Sequence, residues 1–166
     1  IYEVPLLMEE EELDLVVLNK LNMPITKDLD MGSWKEFLHK LKNPKSEVKI
    51  GLIGKYIELK DSYKSIAESF IHAGVMNDCK VKIEWIHSES LDDNNVAEKF
   101  KGLKGILVAP GFGQRGIEGK ISAIKYAREN EIPFFGICLG MQCAVIEFAR
   151  NVLGLKAALS TEMDNT

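Results

Sequence analysis

Cys138 is the residue whose neighbours in sequence best equip it for chemistry. A short apolar run, Ile132 to Ile137, reads as a buried strand that leads straight into it, and Gly140 then opens an apolar stretch, Met141 to Leu153, that reads as a helix. A strand turning sharply into a helix with a nucleophile at the corner is a nucleophile elbow, which forces the side chain into the open at the carboxyl end of a sheet. Gly136 and Gly140 flank the corner and allow tight backbone there. The amino end of the following helix, with its unpaired N–H groups, favours thiolate over thiol, and the thiolate is the nucleophile. The competing reading is a small buried hydrophobe, the usual state of a free cysteine near a strand end. Cys143 lies five positions on, roughly 140° round a helix of ~3.6 residues per turn, and is expected to face packing instead.

A second chemical stretch is Ala109-Pro110-Gly111-Phe112-Gly113-Gln114-Arg115-Gly116. Glycines at 111, 113 and 116, just ahead of a helix, suit a backbone that cradles an anion, although the Lys-Ser/Thr ending of a Walker loop is missing. A cysteine nucleophile also needs a base to move protons. The histidines are His39, His72 and His87, none in a His-x-Glu pair. His87 follows a strand at the catalytic end and is a weak candidate; His39 reads as solvated.

The elements that must position these groups alternate from Val48 onward. Val48 to Ile53 is a strand ending at Gly54. Asp61 or Ser62 then caps a helix carrying Ile66, Phe70 and Ile71 that stops near Gly74. Val81 to Ile86 is a second strand, Val96 to Phe100 a short helix, and Ile106 to Val108 a third strand. Ile117 to Asn130 is a helix and Pro133 to Ile137 the fourth strand. Such alternation implies right-handed crossovers and a mostly parallel, doubly wound, flavodoxin-like α/β sheet. Ligands of such sheets gather beyond the carboxyl ends of the strands, so the loops after Ile53, Ile86, Val108 and Ile137 are the ones to watch.

The first part of the chain reads differently. The acidic run Glu9 to Glu12 opens a short helix carrying Leu13, Val16, Val17 and Leu18. Ser33 with Glu36 predicts a capping box, followed by an apolar face of Trp34, Phe37, Leu38 and Leu41 that ends at Asn43-Pro44. Helices without strands make a poor independent domain. This part is expected to be a helical linker packed on a neighbour.

Composition narrows the class. Net charge is −4 without a long basic run, which argues against a nucleic-acid surface. No apolar stretch approaches membrane-spanning length. Cys79, Cys138 and Cys143 form no CxxC pair, against a zinc site or disulfide framework, so a reducing, cytoplasmic location is the expectation.

Gly136-Ile137-Cys138-Leu139-Gly140-Met141-Gln142 resembles the nucleophile motif of the class I glutamine amidotransferases with a Cys-His-Glu triad. Methionine in Gly140-Met141-Gln142, where most relatives carry histidine, points to the CTP synthase branch. Phe112 to Lys120 is similar to that branch's Gly-Phe-Gly-x-Arg-Gly-x-Glu-Gly segment, and Gly54 to Ser65, 151–155 and 158–162 match it as well. The resemblance implies that Cys138 attacks the amide of glutamine and that the oxyanion is held by the N–H groups of Leu139 and Gly111. Proline at 110 replaces a glycine of the family pattern and removes a donor, which leaves that role to Gly111. Glutamine would be bound by Gly111, Leu139, Gly140, Met141, Gln142 and Glu162, the last through its α-amino group. GTP, an activator in that family, would lie near Lys64, Phe112 and Arg115.

The resemblance further implies ATP-dependent amination of UTP to CTP, with ATP and Mg2+ bound by an amidoligase domain of which no Walker loop is seen here, and a homotetramer. The catalytic His-x-Glu is expected downstream of Ser160-Thr161-Glu162. On this reading residues 1–46 are the end of the amidoligase part and linker, and 47–166 the first half of the glutaminase domain, inactive and poorly stable by itself. The rivals are the glutaminase of another amidotransferase, such as carbamoyl-phosphate or GMP synthetase, and a catalytically silent flavodoxin-like binding module.

Overall fold

The computed structural model describes residues 1–163. The last three positions of the expected second unit, 164–166, lie outside the described residues. Three helices come first: α1 (Val4–Glu10), α2 (Leu13–Lys20) and α3 (Gly32–Lys42). Strand β1 (Ser46–Gly54), a 3-10 turn (Lys60–Tyr63) and α4 (Lys64–Met76) follow, then β2 (Cys79–His87), a second 3-10 turn (Ser88–Ser90) and α5 (Val96–Lys99). The chain continues through β3 (Gly105–Val108), α6 (Ile117–Glu129), β4 (Phe134–Gly136) and α7 (Leu139–Asn151).

The four strands form one parallel sheet in the order β2-β1-β3-β4, as the alternating pattern predicts. Strand alternation sorts the core onto two faces. Ile53, Ile86, Ile106 and Val108 point to one side and pack with Ile117, Ile121 and Ile124 of α6 and Leu139, Cys143 and Ile146 of α7. Leu52, Leu107 and Ala109 point to the other, against Tyr63 and against Ile66 and Phe70 of α4. The sheet grows outward in both directions from the β1–β3 pair. Its topological switch, the preferred place for a ligand, therefore lies at the carboxyl ends of β1 and β3.

Several local expectations are corrected. Ser33 does not cap α3: the helix begins at Gly32, and it is the Asp30 carboxylate that accepts the Gly32 N–H, at 2.8 Å. Asp61 and Ser62 lie within a 3-10 turn and do not cap α4, which continues through Gly74 to Met76. The acidic run divides between two helices. Glu9 and Glu10 end α1, and Glu12 precedes α2 in a left-handed conformation (φ 53°). The apolar face of α3 forms as expected, with Leu38 buried and His39 exposed.

The first helices are tied to the sheet domain through Tyr2. Its ring contacts Trp34, Phe37 and the His72 ring of α4, and its hydroxyl donates to the Glu68 carboxylate. That hydrogen bond pushes the Tyr2 pKa up to about 12. Among the described residues no helix is long and apolar enough to cross a membrane, and no group of three or more His, Cys, Asp or Glu is arranged to hold a metal ion.

Candidate active site

The turn from β4 into α7 is a true elbow. Cys138 has φ 50° and ψ −106°, a conformation that L-residues rarely adopt and that costs of order 1–3 kcal/mol. Two glycines make it sterically possible. A Cβ on Gly136 would lie 2.6 Å from the Gly140 carbonyl carbon and 2.7 Å from Met141 N; one on Gly140 would lie 2.2 Å from the Val108 carbonyl oxygen. The elbow is thus pressed backbone-to-backbone against itself and against the end of β3. It is also pinned by hydrogen bonds, Ile137 N–H to Val108 O at 3.1 Å and Gly140 N–H to Ile137 O at 2.8 Å.

Cys138 is exposed while Cys143, one turn and a half into α7, is completely buried in the core and Cys79 is half-buried. Burial pushes the Cys143 thiol up to about 11. The helix begins at Leu139, two residues earlier than the apolar pattern suggests, so the N–H of Leu139 belongs to its first turn, immediately beside the thiol.

The glycine loop after β3 lies against that helix start. A Cβ on Gly111 would stand 3.5 Å from Leu139 Cδ2 and 3.9 Å from the Lys120 amine. The structure therefore brings together Gly111, Leu139 and Cys138. It also places Gln142 against Glu162, Nε2 donating to Oε2 at 3.1 Å, while Gln142 Oε1 is buried with no partner among the described residues. Gly140 is buried in the elbow, and Met141, one residue on, is exposed.

Phe112 stands on the glycine loop 86% exposed. Arg115, on the same loop, pairs with Glu89 at 3.0 Å, its guanidinium 5.9 Å from the centre of the Tyr56 ring. Lys64 opens α4 and pairs with Glu68 at 3.1 Å, one helical turn on. An exposed ring and a cation near it offer a surface for a flat ligand.

His87 is not beside Cys138. It ends β2, one edge of the sheet, whereas Cys138 follows β4, the other edge, three strand spacings of about 4.8 Å away. Its Nδ1 accepts the Glu89 N–H at 3.2 Å and its Nε2 is 3.7 Å from Glu58. His39 on α3 and His72, packed on Phe37 of that helix, sit where the chain enters β1, at the amino end of the strands. Among the described residues no histidine is positioned as the base.

Two buried lysines were not anticipated. Lys55, just past β1, is almost fully buried, and its amine donates to the carbonyl of Phe112 and to that of Gly113 at 2.9 Å, tying the glycine loop to the β1 end. Burial, reinforced by the nearby Arg115 charge, lowers its pKa. Lys120 is 0% exposed and donates to the Ala109 carbonyl at 2.8 Å. A signal for it was present: Lys120 occupies the i+3 place of the apolar stripe Ile117, Ile121, Ile124.

The family model for class-I glutamine amidotransferases matches residues 58–164, well over half of the chain. The chain belongs to the class-I glutamine amidotransferase family. It is 66% identical over 164 residues to a CTP synthase of Cytophaga hutchinsonii, an alignment that covers 99% of this chain and 30% of that protein. To a CTP synthase of Methanocaldococcus jannaschii it is 58% identical over 170 residues, with coverage of 99% and 31%. Among solved structures it resembles the glutaminase domain of Trypanosoma brucei CTPS with bound acivicin. There the TM-score is 0.64 and the identity 42%, over 70% of this chain and 46% of that one. The chain thus spans about 30% of the length of the curated relatives it matches. The expected amidotransferase fold agrees with both the family match and the parallel sheet.

Proposed function

We propose that this chain is the glutamine-hydrolysing part of a CTP synthase, with residues 1–46 as the connection to an amidoligase domain and 47–166 in the glutaminase. The observation that carries the reading is the strained Cys138, exposed at the head of α7 and flanked by the glycine loop and the Gln142–Glu162 pair.

On this reading the Cys138 thiolate adds to the amide carbon of glutamine. The carbonyl oxygen takes the charge and is held by the N–H groups of Leu139 and Gly111, each such donor contributing roughly 3 kcal/mol. Collapse of the tetrahedral species expels ammonia, protonated by the base, and leaves a glutamyl thioester that water opens to glutamate. Gln142, Glu162 and the backbone from Leu139 to Met141 orient the amino-acid end of the substrate. The base and its orienting acid would be the His-x-Glu pair implied by the resemblance. The ammonia would aminate UTP to CTP with ATP and Mg2+ held by the amidoligase part, in a cytoplasmic homotetramer. GTP would be sensed by the exposed ring of Phe112 together with Arg115 and Lys64, whose charges suit a nucleotide. Within this proposal the chain by itself turns over no glutamine.

The test uses the longer protein that this reading supposes. Cys138→Ala is expected to abolish glutamine-dependent CTP formation and to spare formation from free ammonia. Acivicin, the ligand of the trypanosomal structure, is expected to give one covalent adduct that maps to Cys138. Loss of the ammonia-dependent reaction in a folded Cys138→Ala protein, or labelling spread over Cys79, Cys138 and Cys143, would sink the proposal.

A further inference from the structure

We propose that Lys120 is a positioning residue for glutamine hydrolysis, its buried amine holding the Ala109-Pro110-Gly111 turn so that the Gly111 N–H meets the developing oxyanion; this rests on the glutaminase reading above.

The argument begins at the end of β3. Ala109 is fully buried, and its N–H continues the sheet by donating to Ile53 O at 2.9 Å. Its carbonyl points past the last rung of the β3–β4 ladder, which closes at Val108 with Gly136. A buried carbonyl left unpaired costs about 1–3 kcal/mol. The partner it finds is the Lys120 amine, at 2.8 Å, reaching up from the first turn of α6. Pro110 has no N–H, so the next donor along the chain is that of Gly111. The proline ring fixes φ, so once the Ala109–Pro110 peptide is held, only the ψ of Pro110 is left to place the Gly111 N–H. The same amine lies 3.9 Å from the position of a Gly111 Cβ. One hydrogen bond thus fixes the turn beside Gly111, whose Cβ position also lies 3.5 Å from Leu139 Cδ2.

An uncharged side chain would fill this space at lower cost. Burial pushes the Lys120 pKa down to about 8, the neighbouring Lys55 charge lowering it further and the thiols of Cys143 and Cys138 opposing the fall. Those three groups, on α7, at the elbow and after β1, are the titratable neighbours that act on it. A buried cation retained against such a cost beside a glycine loop is the pattern of a functional position. The Lys55 stem also passes 4.0 Å from the Gly111 Cβ position, but its amine bonds to Phe112 and Gly113, whereas the Ala109 carbonyl is bonded by Lys120.

The test compares wild type, Lys120→Met and Cys138→Ala in the longer protein. Methionine keeps the length and apolar bulk and removes the donor. Lys120→Met is expected to lower kcat for glutamate release on the order of 10- to 100-fold, somewhat less than the loss of an oxyanion donor outright. KM for glutamine should stay within about threefold, as should the rate at which iodoacetamide alkylates Cys138, since on the proposed reading most of the glutamine contacts lie at Leu139 to Gln142 and Glu162 and alkylation forms no oxyanion. A fall in alkylation and a rise in KM as large as the fall in kcat, or unchanged kcat, overturns the proposal. If Lys120→Met does not fold, wild type decides. A charge-assisted hydrogen bond is roughly twice as strong as a neutral one. The kcat profile should therefore descend as pH rises through about 8, the value to which burial brings Lys120. A profile without that descending limb refutes the role. Glutamate release that persists in Cys138→Ala would instead condemn the glutaminase reading itself.

Discussion

Replacing Gly140 by alanine adds one methyl group at a place where there is no room for it. The new Cβ would lie 2.2 Å from the Val108 carbonyl oxygen and 3.0 Å from its carbon. A relaxed contact between carbon and carbonyl oxygen is about 3.3 Å, so roughly 1 Å of movement is required. Val108 is completely buried and its carbonyl already accepts the Ile137 N–H, so it is the start of α7 that must move. Overpacking of this kind costs about 1–3 kcal/mol. The larger effect is expected on catalysis. Leu139 adjoins Gly140, and a misplacement of about 1 Å in an oriented site costs on the order of 100-fold in rate. With this variant and its control made in the longer protein of the proposed function, steady-state glutamate release and thermal unfolding measure the two effects separately. Gly102→Ala is the control: Gly102 has φ +82° with nothing within 4 Å of a Cβ. It should lose about 1–2 kcal/mol through the left-handed backbone and leave turnover unchanged. Wild-type turnover in Gly140→Ala, or an equal loss in Gly102→Ala, would show that the elbow does not position the oxyanion donor.

Thiol alkylation of the folded protein, followed by peptide mapping, should modify Cys138 well before Cys143, which is wholly buried with its pKa raised to about 11; similar rates at the two would mean that α7 does not bury Cys143. Arg128→Ala should destabilise the protein by about 3 kcal/mol or more in chemical denaturation. It strips the Glu147 carboxylate, only 1% exposed, of hydrogen bonds at 2.8 and 3.1 Å and leaves it Asn151 at 3.2 Å. Adding Glu147→Leu should recover most of that loss, and a double variant no better than the single one would contradict the account. Stability should also vary with pH through Lys120, whose folded pKa of about 8 is below the ordinary 10.5. Between those values the unfolded chain binds more protons than the folded one, so stability rises with pH across the window, by about 3 kcal/mol at most. Against Lys120→Met, wild type should gain over this interval, and parallel curves for the two proteins would refute the buried charge.

The sheet was legible in the sequence because four short segments rich in apolar residues are separated by helical ones, but the expectation that Ile132 to Ile137 is buried is corrected: β3 is buried throughout, whereas β4, the outermost of the described strands on its side, leaves Phe134 and Phe135 exposed. The elbow was legible for the same reason, since its strand and helix both carry apolar patterns that meet at Cys138. Capping was misread at Ser33 and at Asp61 and Ser62. A side chain able to cap says nothing of whether the preceding backbone arrives at the required angle, and at α4 a 3-10 turn intervenes. The buried lysines were missed on different grounds. Composition prices a lysine as exposed, and only a partner far along the chain, Ala109 for Lys120 and Phe112 for Lys55, reveals otherwise. These are the contacts that decide whether an elbow can work. A cysteine held at φ 50° persists only where surrounding structure over-determines it. Here Gly136 and Gly140 allow the backbone to close on itself, while β3 blocks retreat on one side. A reactive thiol also needs its oxyanion donors fixed in advance, because donors that reorganise during the reaction return much of what they contribute. Leu139 is fixed by the helix that the elbow begins. Gly111 has no such helix and sits after a proline in an irregular loop, so its rigidity has to come from side chains. Lys55 and Lys120 reach that loop from different elements, one from the end of β1 and one from the start of α6, and their amines bond to its carbonyl oxygens. In the proposed reaction the Gly111 N–H is then the group of this turn that meets the substrate.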